Sequence, residues 1–450
     1  MNDTIAALAT APGQGGIAIV RMSGPESGRI LGEIFQPASG KHPLKSHLLT
    51  YGHLVGENGE RVDECMAVMM YAPRSYTRED VAELQLHGGV YVARKALQLC
   101  YGAGARPAEP GEFTRRAFEN GRIDLAEAEA VMGLISATGE KAARAAMRQL
   151  EGGASVFIRQ AQERLYALAA GVEAALDYPE EVDEEEATRE LAQGLEQVAG
   201  ELEGACDERA ARILESGLRV TLCGRPNVGK SSLLNALLGE ERAIVTEVAG
   251  TTRDVITGEI TLGGMNVRFF DTAGLHDSGD QVERIGMERA EKALREADVV
   301  LLTLDASRPL TQEDRGLLAR DYAGELLVLL NKSDLPPAVD AAEVCRLNPA
   351  AEVLTLSAVQ GESLAPLKAR LTAFAQGLEQ SPLTQQRHLD AARRAAAALR
   401  EARASLENGA GLELAAVDLR QAMACLGEIT GDQVEERLLD EVFGRFCVGK

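Results

Sequence analysis

Gly224-Arg225-Pro226-Asn227-Val228-Gly229-Lys230-Ser231 places two glycines, a lysine and a hydroxyl at the spacing G-x-x-x-x-G-K-[ST]. That pattern suits phosphate chemistry. The glycines let backbone N–H groups turn toward a phosphate chain. Lys230 reaches the outer phosphates, and Ser231, followed by Ser232, offers a hydroxyl to Mg²⁺. A second string, Asp271-Thr272-Ala273-Gly274, follows the apolar Phe269-Phe270. Its carboxylate can hold the Mg²⁺ shell and the Gly274 N–H can meet a γ-phosphate.

A third string supplies base choice. Leu326 to Leu330 lead into Asn331-Lys332-Ser333-Asp334, which is similar to the guanine-recognition motif of GTPases. The Asp334 carboxylate can pair with the ring N–H and exocyclic amine of guanine; adenine offers no such donor pair and would leave a buried acceptor unmatched. Ser357-Ala358 stands where a guanine-contacting loop belongs. Between the first two strings, Thr246-Glu247-Val248-Ala249-Gly250-Thr251-Thr252 reads as a first switch loop around the nucleotide, with Thr252 completing the Mg²⁺ shell. Four motifs in this order predict a GTP-binding, GTP-hydrolysing domain.

Such motifs need strands that end at the ligand and helices that begin there. Leu218 to Cys223 predicts a strand before the glycine loop, and Ser232 to Leu238 a helix after it, whose N-terminus adds partial positive charge. Strand and helix signals alternate from about 217 to 378, the mark of an α/β domain with a parallel sheet. Residues 1 to about 117 differ: short β-like runs such as Gly16 to Arg21 and Glu83 to Leu86, with many glycines. From about 123 to 214 the chain is rich in Ala, Glu, Leu and Arg at helical spacing, split into two stretches by the acidic run Glu180 to Glu186. Helical texture returns from about 386, with Asn408-Gly409 as a stop. The predicted fold is therefore multidomain α/β plus α. An α+β domain spans 1–117, an all-α domain is discontinuous over 118–214 and 379–450, and a P-loop G domain with a mostly parallel sheet is inserted at 215–378.

The 450 residues suit two to three domains. No stretch approaches a membrane span, the start lacks a signal-peptide pattern, and seven cysteines without a CxxC pair indicate neither a disulfide framework nor a zinc site. A cytoplasmic protein is expected. A formal charge of −22 argues against a basic nucleic-acid-binding domain but does not exclude RNA, for which a local patch or a partner subunit could supply the cations. Six of the cysteines read as structural, and His87 reads as packed or hydrogen-bonded rather than catalytic.

Gly250-Thr251-Thr252-Arg253-Asp254 resembles the TrmE–Era group of GTPases. The remaining chain resembles one family in that group, MnmE, also called TrmE. The matching strings are Asp3-Thr4-Ile5, Pro12 to Ile17, Val20 to Gly24, Tyr76-Thr77-Arg78-Glu79-Asp80, Glu83 to Gly89, Arg106 to Thr114, Ile123 to Ala130 and the terminal Cys447-Val448-Gly449-Lys450. The departures are Leu86, where a smaller residue is usual, and Val448, where Ile is commoner.

The resemblance implies a homodimer working with an FAD-containing MnmG-type partner in a heterotetramer, the flavin residing on the partner. The pair modifies C5 of the wobble uridine of certain tRNAs, drawing one carbon from a reduced folate, 5,10-methylene- or 5-formyl-tetrahydrofolate, with glycine or ammonium as the amine. It also implies a folate site of Arg21, Glu83, Arg122 and Lys450. A carboxylate can pair with the amidine-like pterin edge, and cations suit the anionic glutamate tail. Cys447 is implied to be functional, its role open.

For hydrolysis, Leu275-His276 stand where Ras-like proteins carry a water-positioning Gln. The resemblance points instead to K⁺ held by Asn227, Thr246, Val248 and Thr251, and to Glu283 orienting the attacking water. A ribosome-assembly or RNA-chaperone switch without one-carbon chemistry is the alternative function.

Overall fold

The computed structural model describes residues 3–178, 180, 183–240, 258–271, 288, 290–408 and 411–450. The chain forms two compact units: Met1–Met132 with Gln149–Ala199 and Arg394–Lys450, and Gly133–Arg148 with Gly200–Arg393.

The first unit holds seven strands: β1 (Ile5–Leu8), β2 (Ile17–Ser23), β3 (Phe35–Pro37), β4 (Thr50–Val55), β5 (Arg61–Met70), β6 (Val81–His87) and β7 (Arg106–Pro107). They order β3-β4-β5-β6-β2-β1-β7, antiparallel except for the short β1–β7 pair. Burial alternates along β2 and β6, as a sheet with one packed face requires. Val20, Met22, Ala82 and Leu84 pack with Ile30 and Leu31 of the helix Ser27–Ile34 and with Ala96 and Leu99 of the helix Val90–Gly102. The intervening residues, Arg21 and Glu83, consequently point to the other face, where they are register partners.

The second unit holds β8 (Leu218–Cys223), β9 (Gly258–Leu262), β10 (Met265–Asp271), β11 (Val299–Asp305), β12 (Glu325–Asn331) and β13 (Glu352–Thr355), in the order β13-β12-β11-β8-β10-β9. All pairings are parallel except β9–β10. Strands β11 and β12 are near-continuous apolar runs because both faces are covered. Leu301 and Leu329 join one core, while Leu302 and Leu330 join the opposite one. From β8 the chain goes to β9 and β10 on one side, then to β11 on the other. The carboxyl end of β8 is therefore a topological switch point, where open α/β sheets bind ligands.

The helical region is more broken than two stretches. Its helices are Leu125–Ser136, Glu140–Leu150, Gly153–Asp177, Glu184–Gly204 and Glu208–Ser216, so part of the acidic run, Glu184 to Glu186, belongs to a helix. The break between Asp177 and Glu184 overlaps the start of that run, and its last residues are helical because short acidic runs cost little on a solvated helix face. The later helices are Gln386–Glu407, Leu412–Thr430 and Glu436–Gly444. Among the described residues no helix is long and apolar enough to cross a membrane.

Candidate functional sites

The glycine loop sits at the end of β8 and runs into the helix Lys230–Glu240. Gly229 has φ +102°, and a Cβ there would lie 2.2 Å from Asn331 Nδ2, so the loop can approach the β12 end only as glycine. Asn331 is buried and ties the site together. Its Nδ2 donates to Val228 O at 2.8 Å, and its Oδ1 accepts from Ala358 N at 2.9 Å. Lys332 Nζ donates to Asn227 O at 3.1 Å and to Asp305 Oδ2 at 2.6 Å. Ser357 Oγ donates to Asp334 Oδ1 at 2.6 Å, so the Asp334 carboxylate is held by the last loop. These three segments thus form one constellation, and Asp305 is a further member that the sequence reading missed.

Lys230 is 4% exposed and turns back on its own loop, donating to Gly224 O at 2.6 Å and Arg225 O at 2.8 Å. Burial pulls its ammonium below the ordinary value, with Asp271 opposing. Asp271 ends β10, whose register places it beside Leu222 of β8. Ser231 and Ser232 are exposed at the helix start. A hydroxyl and a carboxylate are hard oxygen donors of the kind Mg²⁺ takes, so the residues present fit that ion. Thr246, Glu247, Val248, Ala249, Gly250, Thr251, Thr252, Thr272, Ala273, Gly274 and Glu283 lie outside the described residues.

The first unit brings Arg21, Glu83, Arg122 and Lys450 into one cavity of about 450 Å³, with Met70, Tyr76, Ile123 and Leu150 among its walls. Arg21 Nε donates to Glu83 Oε1 at 2.8 Å, and both side chains are largely buried. The Arg21 guanidinium lies 5.8 Å from the ring centroids of Tyr76 and Phe113. Arg122 stacks at 4.8 Å on Tyr76 and donates to its carbonyl at 2.8 Å. One aromatic wall, a largely buried carboxylate and several cations fit a flat, amidine-bearing ligand with an anionic tail.

Lys450 arrives because Phe443 of the C-terminal helix and Phe446 just after it pack with Leu125 and Ala128, after which the tail crosses back. Gly111 N donates to Cys447 O at 3.4 Å and Phe113 N to Lys450 O at 3.2 Å. Gly449 has φ +96°, and a Cβ would lie 2.3 Å from Leu8 O, so this crossing needs glycine. Cys447 is exposed and does not line the cavity. Cys345 is also exposed, so it is not one of the packed structural cysteines expected from the sequence.

The same unit holds a charge network that the sequence reading passed over. Arg116, 1% exposed, donates to Asp3 Oδ1 at 2.9 Å, Glu79 Oε2 at 3.0 Å and Glu112 Oε1 at 3.0 Å. Arg106 joins with Asp3 and Glu112. Burial alone would raise the Glu112 carboxyl, but Arg106, the Glu109 N–H and Arg116 hold it below its ordinary value. The available signal was the density of charges inside strings otherwise quoted for the family. His87 is hydrogen-bonded, Nδ1 to Asp63 Oδ1 at 2.7 Å, but it is 72% exposed rather than packed.

The family description "MnmE helical domain" matches residues 125–447, and "GTP-binding protein TrmE N-terminus" matches 4–122. A protein of Symbiobacterium thermophilum named tRNA modification GTPase MnmE is 47% identical, covering 100% of both chains. A protein of the same name from Lactiplantibacillus plantarum is 43% identical over 100% of this chain and 98% of its own. Among solved structures, the G domain of the T. maritima FeoB iron transporter is 28% identical over 35% of this chain and 99% of its own, with a TM-score of 0.27. With full-length relatives at this identity and both family descriptions matched, the chain belongs to the MnmE, or TrmE, family.

Proposed function

We infer that this chain is a GTPase acting in tRNA modification. The observation that carries the reading is similarity along the whole chain, at 47% identity, to a protein named for that activity. The geometry supports it: a glycine loop, Asp271 and the Asn331–Asp334 and Ser357–Ala358 loops lie at the strand ends of one sheet. In the finer reading, residues 1–117 dimerise and bind a reduced folate through Arg21, Glu83, Arg122 and Lys450. Residues 118–214 with 379–450 form the helical domain, and 215–378 the G domain.

The target is C5 of a tRNA wobble uridine, and an FAD-bearing MnmG-type partner joins two copies of this chain in the cytoplasm. Bound folate would supply the one-carbon unit; Glu83 pairs with the pterin edge, and Lys450, which has no ion pair among the described residues, is available to the tail. Mg²⁺ would be held by Ser231, Thr252 and Asp271. K⁺, held at Asn227 and the 246–251 loop, would supply positive charge near the β–γ bridge. Glu283 would orient the attacking water, and Cys447 serves the modification step.

Mass spectrometry of tRNA nucleosides from cells lacking this protein tests the reading. Loss of the C5-modified wobble uridines is expected; unchanged nucleosides would overturn it in favour of a GTPase switch. Hydrolysis measured in potassium and sodium at equal ionic strength tests the cation, with faster turnover expected in potassium. Glu283→Ala should abolish turnover while GTP affinity stays nearly unchanged.

A further inference from the structure

The chain carries 69 acidic against 47 basic residues, so a hollow lined by arginines and no carboxylate stands out. One lies in the first unit, sharing Met70, Tyr76 and Arg122 with the Arg21–Glu83 cavity. It encloses about 520 Å³, and Arg74, Arg78, Arg122 and His47 line it without any Asp or Glu. These four residues are exposed. Arg78 donates to Asn120 O at 2.9 Å and Arg122 to Tyr76 O, both backbone carbonyls. None of the three arginines pairs with a carboxylate among the described residues, whereas most other arginines of the unit do, Arg21, Arg29, Arg106, Arg115 and Arg116 included.

The backbone that carries them is held in place. Ala72 N donates to Asp80 Oδ1 at 2.9 Å, Ser75 Oγ to Glu79 O at 2.5 Å, and Asn120 Nδ2 to Thr77 O at 2.7 Å. Arg78 and His47 have left-handed backbone, φ 60° and 59°. Among the described residues only two other non-glycine residues do, Asn227 and Lys332, and both belong to the nucleotide site. Backbone of this kind is costly for a long side chain and concentrates at ligand sites.

We propose that this basic hollow binds the phosphodiester backbone of the RNA substrate and so directs the target nucleotide toward the adjoining cavity. The proposal rests on the tRNA-modification reading. Open, solvated guanidinium groups present paired N–H donors to phosphate oxygens at little desolvation cost. Several cations spread around one hollow match charges that repeat along a strand, and the Arg122–Tyr76 stack offers a flat platform for a base. The surface also resolves how so acidic a chain can meet RNA.

The test is binding of an unmodified tRNA transcript to the full chain and to Arg74→Gln/Arg78→Gln across a salt series. These residues lie outside the nucleotide site, so an unchanged GTP hydrolysis rate is expected, and an unchanged unfolding midpoint checks the fold of the variant. The slope of log affinity against log salt should become shallower by about 1.4–1.8, from roughly 0.7–0.9 per phosphate contact. An unchanged slope would overturn the proposal. So would absence of tRNA binding by the parent chain at low salt, which would leave the modification reading, judged on nucleosides, intact. Loss of selectivity for a reduced folate with several γ-linked glutamates over the monoglutamate, with the tRNA slope unmoved, would assign the hollow to a folate tail instead.

Discussion

The nucleotide site and the Arg21–Glu83 cavity are built in opposite ways. The first is assembled from loops at the carboxyl ends of neighbouring parallel strands, each a short contiguous string. Its polar groups are satisfied locally: Lys230 on Gly224 O and Arg225 O, Asp334 on Ser357, Lys332 on Asp305. The second takes one residue from each of β2, β6, a turn after the helix Glu112–Glu119, and the chain end. The buried Arg116 network lies in the same unit and ties Asp3, Glu79 and Glu112 together. A loop-built site tolerates loss of one side chain as a local event, whereas a site gathered from distant segments depends on the packing beneath it.

The sharpest way to break this contrast is Asp334→Asn. A site built around guanine's donor pair rejects a mismatched base by about 10⁴-fold. GTP affinity should fall by that order and xanthosine triphosphate should bind, with the folding midpoint unmoved; equal GTP and ATP affinity in the parent protein would refute it.

Arg116→Met should act conversely. Leaving Asp3, Glu79 and Glu112 without their shared cation should cost about 3–5 kcal/mol of stability in denaturant titration. Reduced-folate binding should fall with it, although Arg116 does not line the cavity. A fully stable variant would show the network to be dispensable.

Arg21→Ala or Glu83→Ala should weaken reduced-folate binding by about 10–100-fold, as for loss of a charge-assisted hydrogen bond of roughly 1.5–3 kcal/mol. GTP turnover should be unchanged. Folate affinity that survives loss of both would remove the cavity from the reading.

The pH responses are smaller. Glu112 is held below its ordinary value of 4.5. Its contribution is present above that pH and disappears as pH falls through the lowered folded value, so Glu112→Gln should flatten the acid limb of stability. His87 is raised above 6.5, chiefly by its hydrogen bond to Asp63. Its contribution is present below 6.5 and lost as pH rises through the folded value. On so exposed a pair the effect should be the least of these, visible as an upshifted His87 titration by NMR and abolished by Asp63→Asn.

Much of the second unit was legible because each functional string is contiguous and sits beside an apolar run. The spacing of Gly224, Gly229, Lys230 and Ser231 encodes the loop, and the runs of β11 and β12 encode buried parallel strands. The β-like runs Gly16 to Arg21 and Glu83 to Leu86 likewise fall on β2 and β6. Hidden from a linear reading were Asp305 under Lys332, the left-handed Arg78 and His47, and the exposure of Cys345, since each depends on what lies opposite in space.

Local order of residues determined the phosphate loop, the Asn331–Asp334 string and the apolar strand runs beside them, because each is set within about eight consecutive residues. Only tertiary structure decided that Arg116 pairs with three carboxylates and that, among the described residues, Arg74, Arg78 and Arg122 pair with none. Burial and charge pairing are set by neighbours brought together from distant segments, and a sequence read in one dimension does not contain those distances.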